Sequence, residues 1–139
     1  MKWNKKGLIF VPDGKYEWNQ GYASVPTAYK INSKKLRIYY TSRDLKNKTN
    51  ISFIEVDADN PKNILYIHKK PVLEAGKDGM FDDSGAMVSH VIDVDNEVWM
   101  YYIGWNVRNT IAYHNSIGLA ISKDGGVTFK KFSEGPLFD

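Results

Sequence analysis

The chain repeats itself. Leu36-Arg37-Ile38-Tyr39-Tyr40 returns 62 positions later as Val98-Trp99-Met100-Tyr101-Tyr102, and each copy leads on to a closing phrase, Pro71-Val72-Leu73 and then Pro136-Leu137-Phe138. Gly7-Leu8-Ile9-Phe10 reads as the same closing phrase of a preceding unit. No window keeps apolar residues at helical spacing for three turns, whereas short β-branched and aromatic runs broken by turn residues recur throughout. The pattern predicts strands at Ala23 to Ile31, Leu36 to Ser42, Ile51 to Val56, Ile64 to His68, Ala86 to Val94, Glu97 to Gly104, Ser116 to Ser122 and Thr128 to Phe132. Turn signals separate them at Asn32-Ser33-Lys34-Lys35, Asp57-Ala58-Asp59-Asn60-Pro61, Asp95-Asn96 and Asp124-Gly125-Gly126.

Four strands in about 60 residues make a unit the size of one β-propeller blade, and propellers close with about four to eight of them. The fold class is therefore all-β, with two four-stranded blades of a propeller. Blade one is placed at about 22–74, blade two at about 82–138, and a closing strand at 7–11. The run Ser122-Lys123-Asp124-Gly125-Gly126-Val127-Thr128-Phe129 matches the Asp-box pattern, Ser-x-Asp-x-Gly-x-Thr-aromatic, of sialidase-type propellers. Physically it suits a tight hairpin: the Asp and Ser side chains take up turn amides, Gly supplies positive φ, and the aromatic packs into the blade. Asp124 is on this reading structural.

Composition narrows the function classes. The 139 residues are 42% hydrophobic, enough to build a core. The 19 Lys and Arg are interleaved with 16 Asp and Glu, so the net charge of +3 forms no nucleic-acid footprint. With no Cys there are no disulfides or thiolate metal sites. The apolar run Leu8 to Val11 is too short for a signal or membrane span, which predicts a soluble, cytoplasmic protein with no membrane partner. The three His share no ligand spacing, and no cofactor is expected; oxygen ligands at Asp57 and Asp59 leave calcium open. The sequons at Asn47 and Asn50 read as a polar loop.

Several phrases together resemble the N-terminal part of five-bladed glycosidase-like propellers, the arabinanase, levansucrase and invertase-like superfamily. They are Leu8-Ile9-Phe10-Val11-Pro12, Leu36 to Asp44, Phe81-Asp82-Asp83-Ser84-Gly85, Tyr101 to Asn106 and Ile117 to Ser122. The resemblance covers essentially the whole chain and implies a longer protein, with a third blade beyond a phrase like Pro136-Leu137-Phe138, found with polysaccharide biosynthesis or sugar-processing genes. It also implies a paired-carboxylate scheme in which different blades aim acids into a central funnel. A first-blade Asp acts as base or nucleophile, a second-blade Asp steadies the transition state, and a third-blade Glu is the general acid. The second-blade position matches Asp82-Asp83. The first inner strand begins Tyr22-Ala23-Ser24-Val25-Pro26-Thr27 without an Asp, and Glu17 is the nearest substitute.

The candidate catalytic residues are thus Asp82, Asp83 and Glu17. Adjacent acids raise one another's pKa when buried, as acid catalysis demands, while a solvated turn ahead of a strand is the plainer use of the pair. Candidate substrate-binding residues are Trp18 and Trp105, whose rings suit sugar faces or inter-blade packing, and Arg43 with Asp44, a fork that suits a sugar hydroxyl or acidic-sugar carboxylate or a surface ion pair. His90 completes the set. On strict alternation it faces away from Ser89 and Val91, toward a ligand or into an interface.

Three functions follow: a glycosidase-like propeller that hydrolyses or transfers once all blades are present, a carbohydrate-binding module that has lost the catalytic set, or an assembly protein. Two blades leave strand edges and apolar faces open, so the expected partners are a carbohydrate and either a second copy or a separately encoded remainder of the propeller.

Overall fold

A computed structural model describes residues 2–139, which form eight strands and, among the described residues, no helix. The first unit comprises β1 (Gly21–Lys30), β2 (Lys35–Arg43), β3 (Thr49–Asp57) and β4 (Ile64–Ile67). The second comprises β5 (Gly85–Val94), β6 (Glu97–Asn106), β7 (His114–Ser122) and β8 (Lys130–Lys131). Each is an antiparallel meander of sequential neighbours, and a single parallel pairing, Thr49 with Gly85, joins β3 to β5. All eight predicted strands are present, and the repeat is structural as well as sequential. Ile51 exchanges backbone hydrogen bonds with Val72 and Leu73, just as Ile117 does with Leu137 and Phe138.

The strands exist because their apolar residues alternate. Along β6 the residues Val98, Met100, Tyr102 and Gly104 are buried, while Trp99, Tyr101, Ile103 and Trp105 are half-buried on the other face. The buried set meets Tyr39, Ile51 and Phe53 of the first unit in one cluster, with Ala86, Val88, Val91, Ala120, Val72 and Leu73. This cluster is the interface between the two units. On the far face of the first unit, Tyr40, Ile54 and Val56 form a second cluster covered by Ile9 and Phe10, whose ring centroid lies 5.2 Å from that of Tyr40.

Three local expectations change. Residues 7–11 are in no strand; they contribute side chains to the second cluster instead of backbone hydrogen bonds. The last strand shrinks from Thr128–Phe132 to Lys130–Lys131, because the Thr128 amide is taken by Asp124 and the Phe129 amide donates to the Val72 carbonyl across the interface. His90 does not face away from Ser89 as alternation required. A bulge after Val88 pairs His90 with Tyr101 and leaves Ser89 as the extra residue, so both are exposed and only Val91 turns inward.

The turn at 122–129 locks the two units together. Asp124 Oδ1 accepts from the Val127 and Thr128 amides, its Oδ2 accepts from the Thr128 hydroxyl, and Ser122 Oγ accepts from the Gly126 amide. So held, the turn presents two carbonyls to the first unit: Gly125 O accepts from Arg37 Nη1 at 2.8 Å, and Gly126 O accepts from the Tyr39 hydroxyl at 2.7 Å. Phe129 packs edge-on against Tyr39, with 5.9 Å between ring centroids. Arg37 is itself fixed by Glu55, which accepts from Nε and Nη2, and by the Phe53 ring 4.1 Å beneath it.

The two glycines of this turn should therefore differ. Both have positive φ, but a Cβ on Gly125 meets open space, whereas one on Gly126 would stand 2.3 Å from the Tyr39 hydroxyl. Chemical denaturation of Gly125→Ala is expected to show a loss of about 1 kcal/mol from backbone strain alone, and Gly126→Ala a loss of about 2 kcal/mol or more. Equal losses would mean that the turn does not press on Tyr39.

The same turn carries a pH signature. Burial raises the Asp124 pKa, but the hydrogen bonds from Ser122, Thr128 and Val127 outweigh it and hold the carboxyl down to about 2, from an ordinary 3.8. A depressed folded pKa contributes stability that is whole above the unfolded value and lost as pH falls through the folded one. Between pH 4 and 2 the wild type is expected to lose a component of its denaturation midpoint that Asp124→Asn lacks.

Candidate functional site

One end of the sheet gathers most of the predicted site residues. Strand registers run in a continuous row there: Gly21 opposite Arg43, Arg43 opposite Thr49, Thr49 opposite Gly85, Gly85 opposite Trp105, and Trp105 opposite Asn115. The row crosses both units, so its geometry depends on their interface.

Trp105 sits next to the end of the row. Its indole Nε1 donates to Thr49 Oγ1 at 2.8 Å, a hydrogen bond from the second unit to the first. Gly85 makes that contact possible, because a Cβ there would fall 1.9 Å from Thr49 Oγ1 and 2.7 Å from the indole nitrogen. The Arg43 guanidinium carbon lies 5.5 Å from the Trp105 ring centroid and 6.0 Å from that of Tyr22, within cation–π range of both. Arg43 Nη1 donates to the Asn47 carbonyl at 2.8 Å. Tyr113 meets Trp105 edge-on at 6.4 Å. Both tyrosines are open to solvent, Tyr22 at 68% and Tyr113 at 57% exposure.

The backbone beneath this row is strained. Tyr22 has φ of 66° and Val25 of 43°, and β1 pairs with β2 through two register shifts between Gly21 and Thr27. Positive φ at a β-branched residue costs about 1–3 kcal/mol and persists only where its surroundings enforce it. The inner strand is bent at the point where it offers Tyr22 to solvent.

Beside the row lies a groove of about 460 Å³ lined in part by Glu17, Trp18, Asp44, Lys46, Lys48 and Glu74. The loop bearing Glu17 and Trp18 is pinned by buried Asn19, whose Nδ2 donates to the Tyr40 hydroxyl and whose Oδ1 accepts from Ser42. Trp18 is half-buried and lies nearly parallel to Tyr16, 6.0 Å between centroids, while Glu17 is exposed. Asp44 does not pair with Arg43. Its Oδ1 accepts from the Lys46 and Lys48 amides and shapes the loop between β2 and β3.

The adjacent acids part company. Asp82 is 1% exposed, and its Oδ2 lies 2.6 Å from Lys131 Nζ and accepts from the Tyr102 hydroxyl at 3.0 Å. Burial, reinforced by the Asp82 charge, drives the Tyr102 phenol pKa far above its usual value. Asp82 therefore ties the segment before β5 to β6 and β8 inside the second unit. Asp83 turns the other way, accepting from the Gly79 amide at 3.0 Å and from the Ser84 hydroxyl at 3.0 Å, while Ser84 Oγ accepts from the Val107 amide. It stands at the mouth of β5, next to the row. His90 lies five residues along β5 from Gly85, exposed and away from the row.

The fold thus brings Arg43 to Trp105, and Glu17, Trp18 and Asp44 to one groove; Asp82 goes to an internal ion pair and His90 stands alone. Reasoning from residues alone missed Tyr22, Tyr113 and Thr49. Tyr22 read as the start of an inner strand, and nothing local marked it as solvent-facing. Elsewhere, Asp57 Oδ1 accepts from the Asp59 and Asn60 amides, and among the described residues no group of three or more His, Asp or Glu gathers as a metal site would require.

No family model matches the chain. It is 36% identical over 137 residues to uncharacterized proteins of Mycobacterium tuberculosis strains CDC 1551 and H37Rv, a match that takes in 99% of this chain and 46% of each relative. The chain thus spans a little under half the length of the relatives it matches. Among solved structures it is similar to a candidate glycoside hydrolase of Parabacteroides distasonis, with TM-score 0.67, 18% identity, and 95% of this chain and 40% of that one covered. A family 117 glycoside hydrolase of the marine bacterium Zobellia galactanivorans gives TM-score 0.66 at 21% identity, over 89% of this chain and 36% of the other. The RGII complex of BT0996 gives 0.55 at 18% identity, over 81% and 36%. What these structures share with the protein is the fold. The all-β propeller architecture expected from the repeat is the one observed, and the two units are its blades.

Proposed function

We propose that the chain is the carbohydrate-engaging part of a glycoside-hydrolase-like propeller of bacterial polysaccharide metabolism, and that it holds its sugar at the row of strand ends bearing Tyr22, Arg43, Trp105 and Tyr113. The observation that carries this reading is the Arg43–Trp105 cation–π contact flanked by two exposed tyrosines on strained or loop backbone. Aromatic faces pack against the C–H faces of sugar rings, and a fixed guanidinium donates to their oxygens. The fold relatives include a family 117 glycoside hydrolase and the RGII complex of BT0996, which supports a carbohydrate as the ligand class.

Binding is better supported than bond cleavage by these two blades. Paired-carboxylate hydrolysis needs two carboxyls facing the scissile bond. Of the three candidate acids, Asp82 is held by Lys131 and Tyr102, Asp83 by Gly79 and Ser84, and Glu17 is exposed in the neighbouring groove. Titrating neutral and acidic oligosaccharides while following tryptophan fluorescence tests the reading. A saturable change is expected, with affinity falling about tenfold or more in Trp105→Ala, as loss of a stacking aromatic implies, and little in Trp18→Ala. A protein whose fluorescence ignores every oligosaccharide would overturn it.

A second reading, assembly, is favoured by the outer face of the second blade. Trp99, Tyr101 and Ile103 are half-buried there, and Ile117 and Phe138 are 43% and 68% exposed. A contiguous apolar sheet face of this kind seeks cover. Its occupant is a further blade, which for the purified chain is supplied by a second copy. Light scattering coupled to gel filtration of the purified chain is expected to show a dimer or larger species, and a monodisperse monomer would count against pairing between copies.

A further inference from the structure

We infer that the sugar engaged at this site carries a carboxylate, and that Arg43 is the residue that reads it; the inference rests on the carbohydrate reading above. Strand β2 supplies its own comparison, because it holds two arginines in different circumstances. All three nitrogens of Arg37 are engaged: Nε and Nη2 donate to Glu55, Nη1 donates to Gly125 O, and the guanidinium sits over Phe53. Arg43 has the same five N–H donors, yet its one hydrogen bond among the described residues is from Nη1 to the Asn47 carbonyl. It takes part in no ion pair among the described residues. The nearest acid in sequence, Asp44, turns its Oδ1 to the Lys46 and Lys48 amides and forms no ion pair with Arg43.

The free donors do not belong to a loose surface side chain. Arg43 is half-buried, within cation–π range of both Trp105 and Tyr22, and tied at one nitrogen, so part of the cost of ordering it is met before a ligand arrives. A planar guanidinium held in place with open donors matches a carboxylate, which it can meet through two parallel hydrogen bonds. A neutral sugar would supply acceptors but leave the cation unbalanced. The same aromatics that flank Arg43 offer faces for the sugar ring, so ring and carboxylate are engaged together.

The test compares trigalacturonate with its neutral counterpart galactotriose by calorimetric titration of the whole chain, in wild type, Arg43→Gln and Arg43→Lys, with folding checked by circular dichroism. The expected result is a preference of about tenfold or more for trigalacturonate, weakened by salt. Arg43→Gln should abolish the preference, its loss of trigalacturonate affinity exceeding its loss of galactotriose affinity by about tenfold or more, and Arg43→Lys should restore it only in part, because an ammonium lacks the planar fork. Equal binding of both sugars, or a preference that survives Arg43→Gln, overturns the inference and leaves the carbohydrate reading standing. Binding of neither sugar overturns the inference, and the carbohydrate reading falls with it when the neutral and acidic oligosaccharides of the fluorescence titration also fail to bind. Displacement of trigalacturonate by an equal concentration of inorganic sulfate, with no galactotriose binding, would reduce the site to a bare oxyanion site and overturn the sugar assignment.

Discussion

The turn at 122–129 and the two side chains it receives hold the rest of the molecule in register. Each blade alone has one apolar face that only the other blade covers, and Tyr39, Phe53, Met100 and Tyr102 are at most 1% exposed because of that contact. Burying side chains of this size is worth about 1.5–3 kcal/mol each, which makes the apolar interface the main stabilising term. Hydrophobic burial is not directional, however, and does not by itself choose how two twisted sheets meet. The hydrogen bonds from Arg37 and Tyr39 to the Gly125 and Gly126 carbonyls are directional, and they set where the second blade sits on the first. The Arg37–Glu55 pair serves this purpose more than it adds stability. Burial opposes the charge on Glu55, and the hydrogen bonds from Arg37 and Lys35 outweigh it, so its pKa ends below the ordinary value.

The candidate site is the far end of the same interface. The Trp105 indole reaches Thr49 across the blade junction, and Gly85 leaves the room it needs. Arg43 belongs to the first blade and Trp105 to the second, so the contact exists only when the blades are docked. The strained entrance to β1 completes the arrangement from the first blade. Strain at Tyr22 and Val25 is sustained by the regular pairing of the rest of β1 with β2, from Thr27 to Lys30, and by the buried strand behind it.

The adjacent acids show how the same dipeptide can divide its work. Asp82 and Asp83 would repel if both entered one pocket; instead one meets Lys131 and Tyr102 inside the blade, and the other takes turn amide and hydroxyl donors near the surface. Neither is left as a free carboxylate facing the row. Arg43 is the reverse case, a charge with donors to spare among aromatic neighbours, and it gives the site its chemical character.

What was legible in the sequence was the class and the count. Period-2 alternation with turn residues at regular spacing specified eight strands in two sets of four, since those patterns follow from local backbone geometry and the need to bury one face. The Asp124 turn was legible for the same reason, its hydrogen bonds spanning only a few residues. Long-range partners were not. That Lys131 would claim Asp82, that Asp44 would turn to its own loop and leave Arg43 to Trp105, and that a bulge at Ser89 would expose His90 all depend on how two sheets dock and where their pairing slips. Local sequence carries no record of that geometry, because it is decided by side chains far apart in the chain competing for the same space. The sequence by itself determined the blades, and only the packing of one blade on the other decided which of its charged groups were spent on structure and which was left for a ligand.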